Sequence, residues 1–199
     1  MNIVVVQGSP IGIDTVNFEL TKEEKNFLLK LNYRKDEVKG PLLSNDISIL
    51  KNKKLKRIEK LIFNYVEEYK NKILQINNEL RLVHSWSTIN DNTSHEFHTH
   101  KNSFISCCFY VESEGNNKIF FQTGKTVLEN CYFFDYTIKE CNSFNSPKLI
   151  VDTKKGNIIM FLSDLPHKSI NEGKKIMIGA NYFLSGEIGC KKSVTYIKI

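Results

Sequence analysis

Along this chain the apolar positions keep two different periods. Between Asn52 and Gln75, Leu55, Ile58, Leu61, Ile62, Tyr65, Val66 and Tyr69 recur at helical spacing. That pattern predicts an amphipathic helix of about 25 residues lying along one face of a sheet. A shorter helix is expected from Thr21, a good N-cap followed by Glu23 and Glu24, to about Leu31. Residues 3–6 are all apolar and read as a short buried strand, broken by Gly8-Ser9-Pro10-Ile11-Gly12; Lys39-Gly40-Pro41 marks a loop.

From residue 80 onward the period shortens to that of strands. Leu80–Thr88, Phe97–His100, Phe104–Val111, Lys118–Gln122, Cys131–Tyr136, Leu149–Val151, Asn157–Leu162, Lys175–Phe183 and Val194–Ile199 are the predicted strands. Gly115-Asn116-Asn117 and Asn171-Glu172-Gly173 are hairpin signals. Strands at this density predict a mainly β fold with N-terminal helices, its core a jelly-roll of the double-stranded β-helix, cupin-like kind. With no internal repeat and no low-complexity linker, one domain over 1–199 is expected: a helical support region, 1–79, and a β core, 80–199.

Composition changes this picture little. Hydrophobic residues make up 41% and charged residues 25% of the 199 positions, as in ordinary globular proteins. No apolar run approaches a membrane span, and the first residues lack the basic start of a signal peptide. Five cysteines without finger-like spacing point to free thiols in a reducing, cytoplasmic setting. The net charge of +6 comes from lysines spread along the chain. Without aromatic-plus-basic clusters or a phosphate loop, this argues for a solvated face rather than a nucleic-acid partner.

Chemistry concentrates in His95-Glu96-Phe97-His98-Thr99-His100, which holds three of the five histidines. In an extended segment His98, His100 and Glu96 would share a face. Two same-face imidazoles at a strand end make half of a metal site suited to Zn, Fe, Cu or Ni, though a His-rich polar loop would give the same letters. A third ligand can come from His167, which follows the apolar run Asn157–Leu162 and the turn Ser163-Asp164-Leu165-Pro166. This places it at a strand end facing across the jelly-roll from the first pair, in an arrangement that leaves coordination positions open. Cys107 and Cys108 fall in a buried run and read as core; His84 and His95 read as surface or supporting residues. Asp164 could orient the turn.

The ordered set HTHKNSFISCCFYV, GNIIMFLSDLPH and KKIMIGANYF resembles the Fe(II)- and 2-oxoglutarate-dependent oxygenases, and within them a branch from bacteria and their phages. The likeness extends upstream through NDISILKNKKLKRIEKLIFNYVEEY and Ser85-Trp86-Ser87. The resemblance implies Fe(II) held by His98, His100 and His167, with 2-oxoglutarate and O2 as cosubstrates. It further implies hydroxylation of a C–H bond as 2-oxoglutarate decarboxylates to succinate and CO2, in the cytoplasm of a host if a phage encodes the chain. The family places a cation on the strand after the distal histidine. No arginine follows Arg81, so Lys175 takes that position, with Tyr110 as a phenol donor and Asn181 as a further polar group.

Two departures from the family pattern stand out. His100 occupies the position where the wider superfamily carries Asp or Glu, which makes Glu96 a substitute ligand to consider. Met177 stands where the motif R-x-S supplies a hydroxyl. Three other readings compete: a cupin-type metal enzyme, a hydrolytic zinc site and a non-catalytic jelly-roll. Cupins, however, normally carry a Glu shortly after H-x-H, where this chain has Phe104 and Ile105.

Overall fold

The computed structural model describes residues 2–6, 9–35, 40–122, 137, 139–140 and 148–199. The expected strand at Cys131–Tyr136, and Cys131 and Cys141, lie outside the described residues. In chain order the elements are β1 (Asn2–Val6), β2 (Ser9–Thr15), α1 (Lys22–Leu29), β3 (Tyr33–Lys35), β4 (Leu42–Ser44), α2 (Lys56–Tyr69) and β5 (Glu79–Asp91). There follow β6 (Ser94–His98), β7 (Ile105–Ser113), β8 (Asn116–Gln122), β9 (Lys148–Asp152), β10 (Asn157–Leu162), β11 (His167–Glu172) and β12 (Lys174–Ser185). A short ribbon, Glu187–Ile188 with Ile197–Lys198, ends the chain.

Two antiparallel sheets result. The large one runs β1-β2-β10-β7-β12-β5-β4-β3 and the small one β6-β11-β8-β9, the two faces of a jelly-roll. Alternation along each strand splits the apolar residues into two cores. On the outer face of the large sheet Cys107, Phe109, Ile158, Met160, Ile176 and Ile178 pack against α2, whose Ile58, Ile62 and Val66 are fully buried. Between the sheets Cys108, Tyr110, Ile119, Phe121, Phe161 and Met177 form the second core.

The helices follow the sequence with one refinement. Thr21 and Glu24 close a reciprocal capping box at the start of α1. The long helical segment is segmented: 3-10 turns at Ile49–Lys51 and Lys53–Leu55, the α-helix proper, then a π turn, Lys70–Leu74, closed by Gln75 in the left-handed region. Within the expected break at residues 8–12, Ser9 to Gly12 belong to strand β2, while Gly8 lies outside the described residues. Pro10 pairs only with β1, because the β10 pairing of β2 stops at Ile11, so its missing N–H interrupts no ladder there. Its carbonyl accepts a bond from the Tyr69 hydroxyl at 2.7 Å.

Gly179 of β12 has a steric role. It lies opposite Trp86 of β5, and a Cβ there would overlap the indole ring. The space above this glycine is thus taken by the tryptophan. Gly179→Ala should force the indole aside and cost about 1–3 kcal/mol. The expected readout is a melting temperature several degrees lower, together with a shifted emission from the chain's single tryptophan.

Candidate metal centre

His98, His100 and His167 converge. Their ligating nitrogens lie within 4.8 Å of one another, with His167 buried and the other two half-buried. The route differs from a pairing across the jelly-roll. His167 opens β11 and is the direct cross-strand partner of His98 in the small sheet. His100 lies two residues past the end of β6, and its N–H donates to the Ser163 carbonyl at 2.8 Å, in the turn that leads to β11. The three rings therefore meet where the small sheet is tied back to the large one.

The backbone phase around Glu96 also differs from simple alternation. Between the pairs His167–His98 and Ser169–His95, β6 has one more residue than β11, a bulge. The extra residue reverses the faces, leaving Glu96 exposed and His95 lining the cavity. The His95 ring lies 3.9 Å from that of His98, centroid to centroid. Glu96 is not among the clustered donors, and a one-residue shift of register is the reason.

Each of the three rings has Nδ1 against an oxygen. His98 Nδ1 lies 2.8 Å from the Glu96 carbonyl and His167 Nδ1 2.9 Å from the Leu165 carbonyl. His100 Nδ1 is shared between Ser106 Oγ at 2.8 Å and Asn181 Oδ1 at 2.9 Å. Carbonyl oxygens only accept, so Nδ1 carries the hydrogen and Nε2 keeps the lone pair. Behind His100 a hydroxyl chain runs from Ser103 to Ser163 (2.7 Å), Ser163 to Ser106 (2.8 Å) and Ser106 to Asn181 Oδ1 (2.9 Å). Burial, helped by the neighbouring His98, holds His100 down at about 4 and His167 well below its ordinary value. Both are therefore neutral donors at physiological pH. This donor set fits a divalent borderline metal such as Fe(II).

These rings open onto a cavity of about 250 Å³, shared with Trp86, Thr88, Tyr110 and Lys175. Lys175 is only 3% exposed, while its neighbour Lys174 is exposed. Its Nζ donates to Asn171 Oδ1 at 2.6 Å and sits 5.6 Å from the centre of the Tyr110 ring. Asn171 is held in that orientation by its own donation to the Thr93 carbonyl at 2.6 Å. Among the described residues no carboxylate pairs with Lys175, and burial lowers it to about 8. Tyr110 is buried, which raises its phenol well above the usual range. Asn181, expected as a polar wall beside Lys175, does not line this cavity; its amide oxygen is committed to His100 and Ser106. A larger groove of about 510 Å³ borders Lys175 from outside but is lined by none of the histidines.

Sequence reasoning missed Asn171, Thr88 and the three serines. Small polar residues inside strands give no periodic signal, and only burial reveals them. Of the other candidates, Cys108 faces the cavity, Cys107 the helical side and Asp164 the solvent.

Two outcomes follow from this geometry. Asn181→Leu removes the acceptor that fixes His100, so metal affinity in a chelator competition should fall about 10- to 100-fold with the fold intact. Acid should also destabilise the metal-free protein. The unfolded chain binds protons below about 6.5 while buried His100 resists them to about 4. The cost is therefore absent above 6.5, grows as pH falls and levels off near 4. His100 alone should cost about 2 kcal/mol by pH 5, and His100→Asn should flatten that slope in denaturant titrations.

Residues 84–176 match a family model described as "Putative 2OG-Fe(II) oxygenase". No curated protein matches the sequence. Among solved structures, a prolyl hydroxylase from Trichoplax adhaerens, in complex with a hypoxia inducible factor peptide, is similar at TM-score 0.59 and 9% identity, over 87% of this chain and 83% of that one. HygX from Streptomyces hygroscopicus, solved with nickel and 2-oxoglutarate bound, is similar at 0.53 and 11%, over 86% and 82%. A prolyl-4-hydroxylase from Pseudomonas putida is similar at 0.52 and 12%, over 81% and 82%. At such identities these likenesses establish the fold alone, the jelly-roll core. The family match lies on the segment carrying all three converging histidines, and it is over this segment that the chain is similar to the 2OG-Fe(II) oxygenases.

Proposed function

We propose that the chain is a 2-oxoglutarate-dependent dioxygenase that hydroxylates a C–H bond of its substrate, working as a single domain over residues 1–199. His98, His100 and His167 hold Fe(II) through Nε2, and Lys175 and Tyr110 receive the far carboxylate of 2-oxoglutarate. Bound there, Fe(II) would supply the chemistry by which O2 oxidises both partners, one oxygen atom going to succinate as 2-oxoglutarate loses CO2 and the other to the new hydroxyl of the substrate.

The observation that carries this reading is Lys175, a buried ammonium that has no anionic partner among the described residues and lies in the cavity that three imidazoles face. A buried charge is costly unless an opposite charge meets it, and a dicarboxylate bound at the metal would bring one. The cupin alternative leaves that lysine without a role.

Aromatic rings pack against the histidines. Phe161 packs its ring 4.6 Å from His167, Phe121 lies 6.0 Å away, and Trp86 meets His100 edge-on at 5.3 Å. A drier cavity strengthens the pairing of Lys175 with a carboxylate. Three neutral ligands leave the metal its full +2 charge, which favours a dianionic cosubstrate and weakens retention of the ion itself.

Anaerobic loading with Fe(II) and 2-oxoglutarate should give a visible absorption band that neither gives alone. Lys175→Ala should abolish the 2-oxoglutarate-dependent band while metal binding stays near wild type; Lys174→Ala should change neither. Equal losses from both, or metal loss with Lys175→Ala, would count against the assignment. No stoichiometric metal in the wild type would favour a non-catalytic jelly-roll.

A further inference from the structure

The mouth of the cavity carries a cation for which the metal centre and the cosubstrate have no use. Of the three arginines in the chain, Arg57 is committed to Glu24 at 2.7 Å, and Arg34 alone lines the cavity. Arg34 is exposed, and among the described residues no carboxylate pairs with it.

Strand register explains how β3 reaches the site. Tyr33 points to the helical side, where its hydroxyl donates to the Leu28 carbonyl at 2.9 Å, so Arg34 takes the opposite face. Arg34 pairs with Leu43 of β4, and Leu43 with Thr88 of β5. The row continues through Met177 of β12 to Tyr110 of β7. Arg34 thus ends a row that crosses the inner face of the large sheet, two strand spacings, or about 10 Å, outside β5. An apolar wall accompanies it. The wall runs from Leu43, beside Arg34, to Trp86, whose ring meets His100, and Ile47 adds a side chain that is 48% exposed.

Charge points the same way. With neutral imidazoles as ligands, the charges of Fe(II) and 2-oxoglutarate cancel, and the loaded cavity keeps those of Lys175 and Arg34. No Asp or Glu among its described lining residues offsets them. Lys175 is met by the far carboxylate of the cosubstrate; Arg34 still lacks an anion.

We infer that the substrate is an organic anion with an apolar body: Arg34 receives its carboxylate or phosphate at the mouth, and Leu43, Ile47 and Trp86 take the hydrocarbon part. The inference rests on the dioxygenase reading above. A guanidinium suits such a head group because its planar fork meets two oxygens at once. The head group stays at β3 while the C–H bond to be oxidised lies by the histidines, so several bonds separate the two.

The test adds six-carbon probes to anaerobic protein loaded with Fe(II) and 2-oxoglutarate, so that the metal and Lys175 are already occupied. Binding is followed by calorimetry and by the change in the visible band. Hexanoate or hexyl phosphate should bind about 10- to 100-fold more tightly than 1-hexanol, and the tighter of the two names the head group. Arg34→Gln, a surface change, should erase that preference while leaving hexanol binding and the 2-oxoglutarate band as they are. Arg34→Lys should keep part of it. Anions that bind no better than hexanol, or whose advantage survives Arg34→Gln, would overturn the inference and leave the dioxygenase reading standing. So would loss of the 2-oxoglutarate band in Arg34→Gln, which would make Arg34 a cosubstrate residue. Wild-type protein that binds Fe(II) but gives no band with 2-oxoglutarate would remove the dioxygenase reading, and this inference with it.

Discussion

Three hydrogen bonds at Nδ1 govern this centre. Without them each imidazole could turn over or change tautomer, and the nitrogens that now face one another would be a matter of chance. Two acceptors are backbone carbonyls two residues upstream, Glu96 for His98 and Leu165 for His167. Those rings are therefore aimed by the path of their own chain. His100 has left its strand and has no such carbonyl. It relies on Asn181 and Ser106, which a chain of hydroxyls anchors to Ser163. The same turn carries Leu165, so one short segment steadies two of the three rings.

The large sheet makes this possible by being covered on both faces. Its outer face is sealed by α2 and its inner face by the small sheet, so β7 and β12 can carry Cys107, Phe109, Ile176 and Ile178 one way and Cys108, Tyr110, Lys175 and Met177 the other. A lysine and a serine–asparagine network are tolerated there because the strands holding them are paired on both sides. The N-terminal third of the chain thus acts on the site without contributing a ligand. Its helix packs over β7 and β10, and its β4 flanks the strand that carries Trp86 and Thr88.

Much of this was legible in the sequence, and the failures have physical causes. The helical face from Leu55 to Tyr69 and the strand Asn157–Leu162 read directly, because burial imposes a period. The three histidines read by their spacing, and Lys175 through the family likeness. Glu96 was misplaced because a bulge inserts one residue, and no alternation rule can foresee a bulge. Strand β2 was hidden by Pro10 and Gly12, whose effect depends on which neighbour each residue pairs with. Alternation puts Asn181 on the face of Lys175 but does not name the neighbour that its amide meets, which is His100. Thr88 and Asn171 left no trace, since an unmatched hydroxyl and a bridging amide exist only in three dimensions.

The uncharged donor set has a thermodynamic consequence. Three neutral imidazoles and one ammonium give the cavity an excess of positive charge that a divalent ion increases and a dianion offsets. For the proposed enzyme the two occupants therefore raise one another's affinity, and by linkage each does so by the same factor. A carboxylate ligand would weaken that dependence by supplying permanent negative charge. With histidine in its place, retention of the ion becomes a function of how much keto acid surrounds the protein. The centre would then stay loaded in a cell rich in 2-oxoglutarate and empty itself in one that is not.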